Sequence, residues 1–252
     1  MCCSHRKLAG VLLLWAAGWG LAQYGDISDL KILKPEDKVD VKSTPPPPGA
    51  VVLFDGESLD KWVKKDGKGE PAWKLVEGGA VQVQGGDIIT REKFDGDFRL
   101  HVEFRVPYLP KATGQGRGNS GVYLQGRYEV QVLDSYGLKS QNNDCGAIYE
   151  VAAPLVNACK APTVWQSYDI EFHAPKCAGG KVVEPARMTV YHNGVKIHDN
   201  VRLVRKDKEG KEEVVTNTRA GLGGDPCTPG PILLQDHGNP VQYRNIWLLR
   251  GK

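Results

Sequence analysis

The chain has 252 residues, and its 33 Lys and Arg against 30 Asp and Glu leave a formal charge of +3. So even a balance supplies no basic surface of the kind nucleic acid requires. The length admits one domain of ordinary size or two small ones.

The N-terminus reads as processing signal rather than fold. His5, Arg6 and Lys7 precede an apolar stretch over residues 8–21, and Gly20-Leu21-Ala22 offers a small-x-small cleavage site. Residues 1–22 are therefore read as a secretory signal peptide, which places the mature chain in the periplasm or outside the cell. The stretch is short for a membrane span, so no stable span is expected after its removal; a retained N-terminal anchor is the competing reading. Cys2 and Cys3 lie ahead of the apolar stretch, not after it where a lipoprotein cysteine would fall. Residues 23–49 are polar and close on Pro45 to Pro48, the composition of a stiff linker. One domain, 50–252, remains.

Along that domain short alternating runs recur and helical periodicity is nearly absent. Val51 to Phe54 ends at the turn signal Asp55-Gly56. Trp73 to Val76 and Ala80 to Val83 flank Glu77-Gly78-Gly79 as a hairpin. Ile88-Ile89 is a short strand. Phe98, Leu100, Val102, Phe104 and Val106 alternate with Arg99, His101, Glu103 and Arg105 over one long strand. Gly114 to Gly118 alternates glycine with polar residues but leads into a strand rather than a helix, so a phosphate loop is excluded.

The next two strands are the most informative. Gly118 to Gln125 is followed by Tyr128 to Asp134, and both alternate strictly. Val130 and Val132 point one way while Glu129 and Gln131 point the other. A carboxylate beside an amide on a central strand, with Asn119 and Tyr123 close by, suits a face that meets sugar hydroxyls. Further strands are predicted at Tyr168 to His173, at Met188 to His192 with Asn193-Gly194 closing a hairpin, at Ile232 to Leu234, and at Tyr243 to Leu249. The mixed charges from Arg202 to Glu213 read as a solvated loop or hairpin tip. Many short strands, each with one buried face, predict an all-β jelly-roll sandwich of two antiparallel sheets.

Cys145, Cys159, Cys177 and Cys227 have no CxxC spacing, so zinc is not expected. An even count in an exported chain predicts two disulfides. Of three possible pairings, Cys145–Cys159 and Cys177–Cys227 are favoured, the first bracketing one loop excursion.

Several phrases carry a resemblance in order: Leu53-Phe54-Asp55-Gly56, Gly96-Asp97-Phe98, Gly118 to Tyr123, Tyr128 to Asp134, Trp165 to Ile170, Pro185-Ala186-Arg187, His192 to Val195, Leu234 to Pro240 and Arg244 to Trp247. Together they resemble the 3-keto-disaccharide hydrolase family, also described as 3-keto-glucoside 1,2-lyase and 3-keto-2-hydroxyglucal hydratase. The resemblance implies a concanavalin A-like jelly roll with one concave sheet and a carbohydrate substrate. It also implies net hydrolysis by elimination and rehydration, which requires a base at sugar C2, a polariser for the C3 keto oxygen and an acid for the leaving oxygen. A divalent metal is one possible polariser.

Glu129 is the candidate base, with Asp236 and His237, at a strand end entering a turn, as further catalytic candidates. Asn119, Tyr123 and Gln131 are the expected substrate-binding residues. Metal ligands are left open: Glu171 and His173 share a strand face and could join His237, but a solvated outer face is favoured for them and for His101 and Glu103. Trp62, Trp73, Trp165 and Trp247 are read chiefly as core. Laminarinase-type enzymes of this fold carry Glu-x-Asp-x-x-Glu; here the aligned residues are Glu129, Gln131 and Asp134, so the pair of acids needed for double displacement is missing. The alternative to an enzyme is a non-catalytic carbohydrate-binding module, to which a polyproline tether would be suited.

Overall fold

The structure, a computed structural model, describes residues 24–251. The signal peptide read over 1–22 lies outside them. Among the described residues no helix is long and apolar enough to cross a membrane.

Among the described residues seventeen strands form, in chain order β1 (Val51–Phe54), β2 (Trp62–Lys64), β3 (Lys74–Val76), β4 (Ala80–Gln82), β5 (Ile88–Thr90), β6 (Phe98–Arg105), β7 (Ser120–Leu124), β8 (Tyr128–Val132) and β9 (Gln166–His173). Then follow β10 (Lys176–Ala178), β11 (Lys181–Glu184), β12 (Arg187–His192), β13 (Val195–Arg202), β14 (Val204–Lys206), β15 (Glu212–Val214), β16 (Leu233–Leu234) and β17 (Gln242–Arg250). An eight-stranded sheet runs β13-β12-β9-β6-β17-β4-β3, with β1 also on β17; a five-stranded sheet runs β2-β5-β16-β7-β8. Every pairing is antiparallel. This is the jelly-roll sandwich expected from the alternation.

The two sheets share one apolar layer. Phe98, Leu100, Val102 and Phe104 of β6 enter it from the larger sheet; Val122, Leu124, Val130 and Val132 enter from the smaller. Burying such side chains is worth about 1.5–3 kcal/mol each. Their strand neighbours point away from the layer, which frees Tyr123, Glu129 and Gln131 for the other face of the small sheet.

The hairpin between β7 and β8 sets that placement. Gln125 and Gly126 adopt φ of +51° and +65°, and Arg127 N donates to Leu124 O at 3.0 Å. Two left-handed residues in a tight turn match the twist of the flanking strands. The resulting register sets Tyr123 opposite Glu129 and Gly121 opposite Gln131.

Three expectations are corrected. First, β8 is the last strand of its sheet rather than a central one. Its outer edge is covered by residues 146–149: Gly146 N donates to Gln131 O, Gln131 N to Ala147 O, and Tyr149 N to Glu129 O at 3.1 Å. Covering an edge in this way satisfies its free amides. Second, Cys177 and Cys227 are bonded, but Cys145 and Cys159 are buried free thiols. The Cys145 sulfur instead lies 3.1 Å from the Tyr168 hydroxyl. Third, His101 and Glu103 are not on a wet face; they are 1% and 0% exposed.

The third correction has its cause in residues 24–49, expected to act as a spacer. They lie along the outer face of the large sheet. Val41 N donates to Trp165 O, Trp165 N to Asp40 Oδ1, Ser43 Oγ to Glu103 Oε1 at 2.5 Å, and Trp247 Nε1 to Thr44 O. Beneath this strap His101 stacks on Trp247 at 4.9 Å, and Arg244 Nε donates to Glu103 Oε2 at 2.6 Å.

Candidate active site

The outward face of β7, β8 and β16 forms the floor of a cavity of about 330 Å³, lined by Gln115, Asn119, Tyr123, Glu129, Gln131, Tyr149, Arg219, Ala220, Gln235 and His237. A monosaccharide-sized ligand fits a space at the lower end of ordinary binding sites.

Glu129 is 3% exposed and faces this cavity from the floor. Its seat is made by Gly121: a β-carbon there would stand 2.5 Å from Glu129 Oε1 and 2.9 Å from Tyr123 Cε2. Only glycine leaves room for the carboxylate at this point of the sheet. Burial pushes the Glu129 carboxyl up to about 8; the Tyr123 hydroxyl opposes that shift, and the charges of Glu150 and Asp87 add to it. A carboxylate in this state accepts a proton near neutrality, the property a general base requires.

Tyr123 is fixed rather than free. Gln235 Nε2 donates to its oxygen at 3.0 Å, and its hydroxyl donates to Arg219 O at 3.2 Å. Burial holds its phenol proton far above the ordinary range. Along the neighbouring wall Gln115 is a hub. Its Oε1 accepts from Gln131 Nε2 at 2.7 Å and from Asn119 Nδ2 at 3.2 Å, while its Nε2 donates to Asn143 O at 2.9 Å. The Asn119 Oδ1 is buried and has no partner among the described residues. These amides hold one another in fixed orientations, as a site for a polyhydroxylated ligand requires.

The opposite wall is the loop over residues 216–230, which carries Arg219. Thr218 clips it to β8: Thr218 Oγ1 donates to Arg127 O at 2.8 Å and accepts from Glu129 N at 3.0 Å. Arg127 donates to Asp225 O at 2.6 Å and to Thr228 O at 3.1 Å. Cys227 then ties the loop covalently to Cys177 on β10.

Of the residues named from sequence, Glu129, His237, Asn119, Tyr123 and Gln131 line one cavity. Asp236 does not. Its Oδ2 accepts from Gly86 N at 2.7 Å and its Oδ1 from Gly238 N at 2.8 Å, so it shapes the turn. The strict alternation of residues 235–237 contains this division: Gln235 and His237 share a face that Asp236 leaves. Gln115, Tyr149 and Arg219 were missed because they sit on aperiodic loops. Asp134 pairs with Arg117 at 2.9 Å and stands outside the cavity, so no second acid replaces the one missing from the glucanase pattern. Glu171 and His173 are exposed on the large sheet, where His173 pairs with Asp97. Among the described residues no tryptophan lines the cavity: Trp62 and Trp73 are buried, and Trp165 lies beneath Arg105 and Arg244. Among the described residues, the ligating side chains of the cavity do not converge as a set of three.

A two-sheet jelly roll with a polar, acid-floored cavity on its smaller sheet defines a β-sandwich protein of concanavalin A-like type. The family described as the 3-keto-alpha-glucoside-1,2-lyase-like domain matches residues 49–249, and the chain belongs to that family. A candidate glycosyl hydrolase of known structure from Parabacteroides distasonis is 34% identical, with a TM-score of 0.68 over 86% of this chain and 97% of its own. Two more candidate glycosyl hydrolases from the same organism share the fold at 19% and 21% identity, with TM-scores of 0.56 and 0.55; they cover 81% and 80% of this chain and 94% and 99% of their own. No curated protein is similar enough to match this chain.

Proposed function

We propose that this protein cleaves 3-keto-glycosides by elimination and rehydration, outside the cytoplasm. The observation that carries this reading is the Glu129 carboxylate, buried at the cavity floor with its proton affinity raised to about 8. An ordinary two-acid glycosidase has no use for a lone base of this kind. A sugar oxidised at C3 does, because the ketone acidifies the hydrogen on C2.

In this reading Glu129 takes the C2 proton as the C–H electron pair moves toward the C3 keto oxygen. Arg219, the cation in the lining, stabilises the enediolate charge. The pair then returns, a C1–C2 double bond forms and the C1–O bond breaks. His237, at the rim, protonates the leaving oxygen. Water adds at C1 and gives its proton to His237, while Glu129 returns its proton to C2, giving the free 3-keto sugar. Asn119, Gln115 and Gln131 orient the remaining hydroxyls. A divalent cation would find only Glu129 and His237 as ligating carboxylate and imidazole in the lining, so polarisation is assigned to Arg219 instead.

Purified protein supplied with a 3-keto-disaccharide should release 3-keto-glucose, with exchange of the C2 hydrogen into heavy water. Binding without release or exchange would sink the proposal and leave a carbohydrate-binding module in its place.

A further inference from the structure

We infer that Cys145, Cys159 and His192 form a structural zinc site behind the active face. One ligand atom from each residue lies within 4.8 Å of the other two, and all three side chains are buried. Zinc–sulfur and zinc–nitrogen bonds of about 2.3 and 2.0 Å set ligand atoms roughly 3.5–3.8 Å apart in a tetrahedron. The cluster needs to contract by only about 1 Å at most to meet that geometry.

The surroundings prepare each donor. His192 Nε2 lies 2.9 Å from Gln166 Oε1. That oxygen also accepts from Lys160 N at 2.8 Å, which fixes it as an acceptor. Nε2 therefore carries the imidazole proton, and the lone pair sits on Nδ1. A ligating histidine whose other nitrogen donates to a carbonyl is the usual outer-sphere arrangement of zinc sites. Tyr168 borders the cluster on the Cys145 side, where its oxygen or a water would complete the four. Its hydroxyl donates to Gln131 O at 2.7 Å, so an oxygen lone pair faces the Cys145 sulfur 3.1 Å away.

Charge agrees with burial. Binding displaces one proton from each thiol, and Zn²⁺ with two thiolates and a neutral imidazole carries no net charge. A neutral unit avoids the large penalty of an isolated ion in a dry interior. The chain distinguishes these sulfurs from Cys177 and Cys227, which are joined. Zinc would pin the excursion that follows β8 to β12 and β9. That excursion presents Asn143 O to Gln115 and Gln131 in the active cavity.

The full chain, loaded with zinc sulfate under mild reductant and then dialysed, should retain one zinc per chain by elemental analysis. Its intact mass after alkylation under denaturing, chelating conditions should show a single disulfide. Cobalt(II) in place of zinc should give the intense thiolate charge-transfer absorption of a tetrahedral site. Cys145→Ser and Cys159→Ser should each lower zinc affinity by roughly 100-fold or more, while Cys177→Ser keeps the ion. Wild-type protein that holds no zinc, that lacks the cobalt band, or that carries a second disulfide overturns the assignment, as does zinc retained at full affinity in Cys145→Ser. Should the serine variants fail to fold, the wild-type cobalt spectrum alone decides.

Discussion

The carboxylate of Glu129 occupies the volume that a side chain at Gly121 would claim, with its Oε1 2.5 Å from where a β-carbon would stand. The two residues sit on adjacent strands of one hairpin, and the absence of one side chain seats the other. Gly121→Ala should therefore displace the base while leaving the apolar layer intact. A shift near 1 Å in a reacting group costs about 100-fold in rate, so kcat should fall by that order with the thermal midpoint lowered by only a few degrees. Wild-type turnover in this variant would show that the gap is not what positions Glu129.

The raised proton affinity of Glu129 fixes a pH dependence. The base works ionised, so kcat/KM should climb as pH rises and level off above about 8. Stability runs the other way. The folded carboxyl holds its proton more tightly than the unfolded one, so there is no penalty below the ordinary value of 4.5. Stability is lost as pH rises from there, and the full loss is reached above about 8. Glu129→Gln should thus cut turnover by roughly 100- to 10,000-fold. In denaturant titrations it should stabilise the fold at pH 9 and be neutral at pH 4. A variant that is inactive and equally destabilised at both pH values would point to a packing role.

His237 and Asp236 are adjacent in sequence and separate in consequence. His237→Asn should lower kcat with little change in folding. Asp236→Ala hands the exposed amides of Gly86 and Gly238 over to water; its expected cost is stability, about 1 kcal/mol, with near-normal kcat at low temperature. Kinetics and thermal melts on the two variants check this directly, and a reversed pattern would move the acid to Asp236.

The strap gives an acid-sensitive contact. Burial alone would raise the Glu103 carboxyl, but hydrogen bonds from His101, Ser43, Asn245 and Arg244 hold it at about 2, below its ordinary 4.5. That stabilisation is complete above 4.5 and is lost as pH falls toward 2. It amounts to roughly 1–3 kcal/mol after allowance for partial solvent screening. Ser43→Ala should bring the acid transition to higher pH, read by tryptophan fluorescence from Trp165 and Trp247. An unchanged acid transition would mean that Ser43 is not part of the clamp.

Period-two alternation made the sandwich legible, because a strand with one buried face writes that face into every second residue. It placed Glu129 and Gln131 opposite Val130 and Val132 correctly. It failed at His101 and Glu103, where the same pattern signals a polar face but cannot say what lies on it. Their covering comes from Ser43 and Thr44, distant in sequence and without periodicity. Tyr149 and Arg219 were hidden for the same reason: loop residues enter the cavity through single backbone hydrogen bonds and side-chain clips, such as Thr218 on Glu129 N, which leave no repeating trace. The amide hub at Gln115 lay inside a glycine-rich stretch whose composition says only that the chain turns.

The Cys177–Cys227 bond spans 50 residues of sequence and reaches the loop that carries Arg219. Cross-links over loops of this size contribute about 2–4 kcal/mol. Without this bond the flank of the cavity would rest on non-covalent contacts, among them those of Arg127 and Thr218 and the Leu222 N to Gly126 O hydrogen bond. Oxidation of this pair would then be the step that stiffens the mouth of the site.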